Sequence, residues 1–388
     1  MKKYALIFAL LFTPVALSAQ LSQYSAGKVQ QAQKLQQENK LNEAISVLKG
    51  MDISRAYDRA FIDRVLGVYY WQAEKPADSI RHLSQSVSSG LLEDEQARST
   101  QRMLADILLS QAQYKTALKH YYQLSQSIPA SEKAKADELW LRIAQAHYQI
   151  EEWRPVLSAL QHYERMHRKD EVQPLTMKLG AQLQLKQLQS ALPTLNRLIV
   201  LQPEKKVWWQ QMAGIQMQLD RHRHAMETLA LAQRQGVDLS QQDLKTLGQL
   251  YAQQGIPEKA ARIFASLENS DSDETLLVSL ATYWQMAKEW DKSISSWQKA
   301  VQLNSKYRWQ LAQLLIQEGQ YQLALNELNQ IQDSKRKADV ELAKVRVFYK
   351  LEQYEQAIVH AKKADQIESS KSSQSWIKYL NQIRNMNS

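Results

Sequence analysis

The chain has 388 residues, 49 Lys and Arg against 40 Asp and Glu, and no cysteine. Ten glycines and eight prolines are too few for a turn-rich β-sandwich or barrel, and the nearest two glycines, Gly248 and Gly255, are too far apart to write a dinucleotide or phosphate loop. Without cysteine there is no disulfide and no thiolate metal site, and the mild positive balance is spread along the chain rather than gathered for nucleic acid.

Residues 1–19 have the form of a cleaved export signal. Lys2 and Lys3 precede an apolar run from Tyr4 to Phe12, Thr13-Pro14 breaks it, and small residues follow, with cleavage expected after Ser18 or Ala19. The run is too short to span a bilayer comfortably, and no later apolar segment reaches the ~20 residues a span needs. The mature chain is therefore expected in the periplasm, with no membrane span.

From about residue 22 a single pattern takes over. A small residue followed by a large apolar one recurs, with lapses, at Ala44, Ser79, Ala117, Val156, Ala191, Ala225, Ala260, Ser293, Ala324 and Ala357, spaced by 31 to 39 residues. Four residues after each stand Leu48, Leu83, Tyr121, Leu160, Leu195, Leu229, Phe264, Trp297, Leu328 and Ala361. Twelve before each stand Ala32, Gly67, Ala105, Ala144, Leu179, Ala213, Gly248, Ala281, Ala312 and Val345. This period describes pairs of short helices whose small residues lie where the two helices cross, with the large residues filling the space to the next pair. One pair cannot bury its apolar face alone, and stacking does so. Val156 and Leu179 break the small-residue rule, a charged stretch runs from Arg165 to Asp170, and Pro193 falls in a second helix where only the first turn tolerates it. An irregularity is expected near 163–176. Trp376, Tyr379, Leu380 and Ile383 at helical spacing predict a capping helix in the segment 369–388.

The stretch Leu244-x-x-Leu247-Gly248-x-x-Tyr251-x-x-x-Gly255-x-x-x-x-Ala260-x-x-x-Phe264 resembles the tetratricopeptide repeat (TPR). Leu66-Gly67-x-x-Tyr70 and Gly319-x-x-x-x-Ala324 carry parts of the same signature, and Pro129 and Pro203 fall where that repeat closes. The resemblance implies an all-α, right-handed α-solenoid of about ten hairpins over 22–368. It also implies that first helices line a groove for protein or peptide partners. Carried over residue by residue, it places Arg64, Val68 and Trp71, Arg102, Asp106 and Leu109, Gln145 and Tyr148, Lys245, Gln249 and Gln253, and Trp309 and Gln313 on that groove. Aromatic and Arg side chains are favoured interface anchors, and amides can pair with an extended backbone. The family's clamp for a C-terminal carboxylate needs Lys followed by two Asn. Here Lys245 is followed by Gln249 and Ala252, so that clamp is not written.

Chemistry is hard to find. There is no H-E-x-x-H and no G-x-S-x-G, and no enzyme, cofactor or metal is expected. Of eight histidines only His222 and His224 are neighbours, between Arg221 and Arg223, which reads as a solvated basic turn. Glu93-Asp94-Glu95 and Asp271-Ser272-Asp273-Glu274 read as helix starts. The short signal, the 50 glutamines and the absence of any other domain resemble periplasmic TPR proteins encoded with TonB energy-transduction systems of Gram-negative bacteria. That likeness implies a scaffold for TonB-system components in uptake of iron complexes, with a place at the periphery of the inner membrane left open. The alternative is a scaffold for envelope, polysaccharide-export or cell-wall assembly.

Overall fold

A computed structural model describes residues 21–129, 136–166 and 169–386. The signal expected over 1–19, with both cleavage points, lies outside the described residues, as do His167 and Arg168. Among the described residues there are 21 α-helices and no strand, and no helix is long and apolar enough to cross a membrane.

Twenty of the helices form ten hairpins, and contacts divide them into two compact units between Leu201 and Gln202. The first unit holds α1 (Gln23–Gln37) with α2 (Leu41–Lys49), α3 (Ala56–Gln72) with α4 (Pro76–Ser89), α5 (Asp94–Ser110) with α6 (Tyr114–Ser127), α7 (Asp137–Gln149) with α8 (Trp153–Met166), and α9 (Val172–Gln184) with α10 (Leu188–Leu201). The second holds α11 (Lys206–Gln218) with α12 (His222–Arg234), α13 (Gln241–Gln253) with α14 (Pro257–Ala265), α15 (Glu274–Met286) with α16 (Trp290–Leu303), α17 (Arg308–Gln317) with α18 (Tyr321–Asn329), and α19 (Lys337–Lys350) with α20 (Tyr354–Ile367), then α21 (Lys371–Met386). Within each unit every helix packs on the one before and the one after.

The three periodic positions are the core. All ten small residues are 0% exposed, and the ten residues four later and ten residues twelve earlier are buried without exception. The large residue reaches the next hairpin, as Phe264 does to Leu280, Tyr283 and Trp284 of α15, and in two hairpins it also lies over the glycine of its own first helix. A methyl group added at Gly248 would sit 2.6 Å from the Phe264 ring, and one at Gly67 would overlap the Leu83 side chain. Where serine replaces alanine, its hydroxyl finds a backbone acceptor twelve residues earlier: Ser79 Oγ donates to the Gly67 carbonyl at 2.7 Å and Ser293 Oγ to that of Ala281 at 2.8 Å. The buried hydroxyls are thereby satisfied and serine keeps the crossing close.

The turn inside each hairpin is the same ten times. The residue five before each small position is left-handed: Asn39, Glu74, Ala112, Glu151, Lys186, Asp220, Gly255, Lys288, Gly319 and Glu352, with φ from 55 to 73°. The next residue's N–H reaches back to the carbonyl five residues earlier, as in Lys40 to Leu35 at 2.8 Å, Gln113 to Leu108 at 2.9 Å and Gln353 to Phe348 at 2.9 Å. That bond closes a Schellman turn and satisfies a carbonyl the helix end would orphan.

The irregular region is tied by charge. Arg197 of α10 binds Asp170 at 2.6 and 2.9 Å and Glu164 of α8 at 2.7 Å, and Lys178 of α9 also reaches Glu164 at 2.7 Å. Pro193 is the sixth residue of α10, beyond the first turn expected for it. At the C-terminal end α21 lays Leu380 on Val345, Ile358 and Ala361, with Trp376 beside them. Tyr379, expected in the same contact, is 45% exposed; its ring lies 6.1 Å from that of Trp376 and 5.9 Å from that of Tyr349, and the two tyrosine hydroxyls meet at 3.1 Å.

Two substitutions separate the crossing from the turn. Gly255 has open space around its α-carbon, so Gly255→Ala carries only backbone strain and should cost ~1 kcal/mol in urea unfolding. Gly248→Ala should cost about 1–3 kcal/mol by overpacking, and Phe264→Leu should restore part of that loss in the double variant. Equal costs in both Phe264 backgrounds would refute the close approach.

Candidate functional site

The first helices are laced to one another by polar side chains. At the N-terminal end Asp58 of α3, 2% exposed, accepts from Ser22 N at 3.2 and 3.3 Å and from its hydroxyl at 2.5 Å, while Ser22 caps α1. The most developed link joins α5 and α7. Asp106 receives Arg102 Nε of its own helix at 3.1 Å, and Arg142 Nε of α7 lies 3.9 Å away. From below, the Tyr121 hydroxyl donates to Asp106 Oδ1 at 2.6 Å. Tyr121 is fully buried in α6, and burial followed by the Asp106 charge pushes its hydroxyl pKa well up, so it stays a donor. A core residue thus fixes the carboxylate, and the carboxylate holds the Arg102 guanidinium, with Arg142 of the next first helix at ion-pair distance.

The same face continues toward α9. Gln145 Oε1 accepts from Arg142 at 3.1 Å, and Tyr148 stands edge-on to Trp153 with centroids 5.3 Å apart. The Tyr148 hydroxyl lies where a β-carbon on Gly180 would be, 2.7 Å from it, so glycine is what admits the ring. Arg102 and Gln145 are therefore linked through Asp106 and Arg142, and Tyr148 lies one turn beyond Gln145 on α7. Arg64 and Trp71 lie half-buried on α3, the guanidinium of Arg64 5.9 Å from the centroid of Phe61. Burial draws its pKa below the ordinary value. Val68 is buried and serves packing.

In the second unit Lys245, Gln249 and Gln253 lie along α13, Lys245 half-buried and the two amides exposed. Trp309 of α17 carries the Arg336 guanidinium 5.3 Å from its ring centroid, a cation–π pair. The Gln313 side-chain nitrogen is shielded from solvent without a hydrogen-bond partner. At the base of α17, Glu274 of α15 gathers Lys306 Nζ at 2.6 Å, the Tyr307 hydroxyl at 2.7 Å and Asn304 Nδ2 at 3.4 Å. These donors, Lys306 first, hold the Glu274 carboxyl down at about 2.

Arg142 and the hydroxyl of Tyr121 are the residues that sequence reasoning missed. Tyr121 is the one residue of its periodic set that carries a hydroxyl, and an aspartate fifteen residues earlier was the signal available. Three histidines each pair with one carboxylate: His82 with Asp63 at 2.7 Å, His147 with Glu152 at 2.6 Å and His360 with Glu341 at 2.6 Å. The first and last occupy the same repeat position, three after the small residue, and stack on Tyr70 and Phe348. Among the described residues no three metal-ligating side chains converge. Asp273 caps α15 through Leu276 N at 2.8 Å and α5 starts at Asp94, both as the acidic runs implied. His222 begins α12, with Arg221 as its cap.

No family model and no curated protein matches the chain. Solved structures do. A tetratricopeptide repeat protein from Parabacteroides merdae ATCC 43184 is similar at 15% identity over 63% of this chain and 99% of that one, with a TM-score of 0.31. A structure of Naa15/Naa10 bound to HypK-THB is similar at 14% identity over 92% of this chain and 59% of that one, with a TM-score of 0.44. YrrB, described as a TPR protein with an unusual peptide-binding site, is similar at 19% identity over 46% of this chain and 94% of that one, with a TM-score of 0.35.

The Glu274 cluster has a measurable consequence. Its carboxyl lies below the unfolded value, so the stability it lends is present above about 4.5 and is lost as pH falls toward 2. The side-chain carboxyl resonance of Glu274 should titrate near 2 in the intact chain and move up toward 4.5 in Lys306→Met. A midpoint unmoved by that substitution would remove Lys306 as the principal cause.

Proposed function

We propose that the chain is a non-enzymatic, exported scaffold that holds extended segments of protein partners along its first helices. The observation that carries this reading is the arginine pair Arg102 and Arg142, oriented by Asp106 and Tyr121 and continued by Gln145 and Tyr148. Their side chains are part-exposed, 25% for Arg102 and 40% for Arg142, so each can still offer donors outward. Two forks held in place suit carboxylates on a partner, and Gln145 and Tyr148 suit its backbone and its apolar side chains. Lys245, Gln249, Gln253, Trp309 and Gln313 belong to the corresponding face of the second unit, and Arg64 and Trp71 extend that of the first. The compartment is the periplasm, and the partners are components of a TonB-dependent system for uptake of iron complexes. That part is supported by the signal-like N-terminus and the glutamine-rich, single-architecture chain.

The test is affinity capture from periplasm with the tagged mature chain and with the double variant Arg102→Glu, Arg142→Glu. TonB-like and motor proteins should be recovered with the first and depleted about tenfold or more with the second. A deletion strain should grow poorly when iron is scarce. Recovery of polysaccharide-export or cell-wall enzymes instead, with normal growth on scarce iron, would move the chain to envelope assembly.

A further inference from the structure

The second helices are not all alike. α4, α6, α8, α10, α16 and α20 have 14 residues each, whereas α2 stops after nine, at Lys49. The shortfall of five residues is about 7.5 Å of helix. α14 and α18 are equally short: beyond α14 the chain closes the gap, since Leu267, three residues beyond Phe264, is 6% exposed and packs with Phe264, Leu280 and Trp284, while beyond α18 the equivalent Ile331 is half-buried against the core of its own unit. The equivalent residue after α2 is Met51, which stays half-buried. Beside it an open cleft of about 930 Å3 runs between α2, α3 and α4.

The floor of the cleft is core. Leu48, Ile62 and Leu66 line it, all under 5% exposed as residues. The rim is cationic. Lys49 and Arg59 are exposed, and the Arg59 guanidinium is held over the opening by the Ile53 carbonyl at 2.8 Å. Asp63 on the wall is engaged by His82, which leaves the two cations as the exposed charges of the rim. The shape is that of a missing helical end, with apolar side chains below and positive charge above.

We propose that this cleft is a second docking site, taking a short helical segment of a protein partner in place of the absent turns of α2. The segment presents two apolar residues three or four apart to Leu48, Ile62 and Leu66, and an Asp or Glu to Lys49 and Arg59. Helix-in-groove recognition uses this spacing, and the charge fixes the direction of the segment. The site is away from Arg102 and Arg142 and stands without the reading given for them.

A phage library of random dodecapeptides, panned on the immobilised full-length mature chain, tests it. The enriched peptides should share the apolar pair with an adjacent acid. Measured by fluorescence anisotropy, they should bind about tenfold or more weakly to Gln85→Trp, which fills the cleft from an exposed position, and to Lys49→Glu, Arg59→Glu. They should bind Arg102→Glu, Arg142→Glu as well as the parent chain. Ser88→Trp, also exposed on the lining, replaces Gln85→Trp if that variant loses its cooperative melting transition. Peptides indifferent to the filling variants, or a library that yields no consensus, would overturn the proposal. So would a cleft that binds decanoate, an anionic amphiphile, but no peptide.

Discussion

Two helices can approach backbone to backbone only where one of them nearly lacks a side chain. Phe264 lying over Gly248 and Leu83 over Gly67 show that constraint at its tightest. Once the crossing is set, the residue on the second helix that faces the same gap is held small in nine of the ten hairpins, Val156 being the exception, and all ten are fully buried. The turn then has to return the chain within a few residues, and a left-handed residue with its back-reaching N–H does this in every hairpin. Crossing and turn support each other: the turn fixes where the second helix starts, and the crossing fixes how closely it lies.

That dependence explains what could be read in the sequence. The thirty periodic positions were legible because burial limits side-chain size, and size survives as a pattern even when identity changes from Ala to Ser or from Leu to Phe. The turn was not legible. Its left-handed residue is glycine only at Gly255 and Gly319, and elsewhere Glu, Lys, Asn, Asp or Ala accepts the same backbone. The hydrogen bond belongs to the main chain and leaves no side-chain signature. Pro193 misled for a related reason: the rule about first turns concerns a free N–H, and the packing of α10 through Ala191, Leu195 and Leu198 keeps the helix where the proline would weaken it.

The candidate face was legible in part. The resemblance put Arg102, Gln145 and Tyr148 on the groove side, and the structure links the first two through Asp106 and Arg142. Register says nothing of contacts between successive hairpins, which depend on how far one first helix is shifted against the next. Arg142 belongs to the site through Asp106 on a different helix, and Tyr121 belongs to it through a hydroxyl that emerges from a core position. The acid–base ties around Arg197 were visible only as a charged interruption, since their partners lie on three helices.

A core built from interchangeable positions leaves individuality to the exceptions, and here the exceptions coincide with the surface features. The one hydroxyl among the large core residues reaches Asp106, which holds Arg102 and lies within ion-pair distance of Arg142. The hairpin in which Leu179 stands for a small residue also carries Gly180, whose missing side chain gives Tyr148 its place. The shortened α2 leaves the cleft between Lys49 and Arg59. None of these improves the packing of its own hairpin. Each departs from the local rule while the rest of the repeat obeys it, and such departures are where function is expected to reside. In a stack of this kind the regular positions hold the chain together, and the irregular ones give particular hairpins a surface the others do not have.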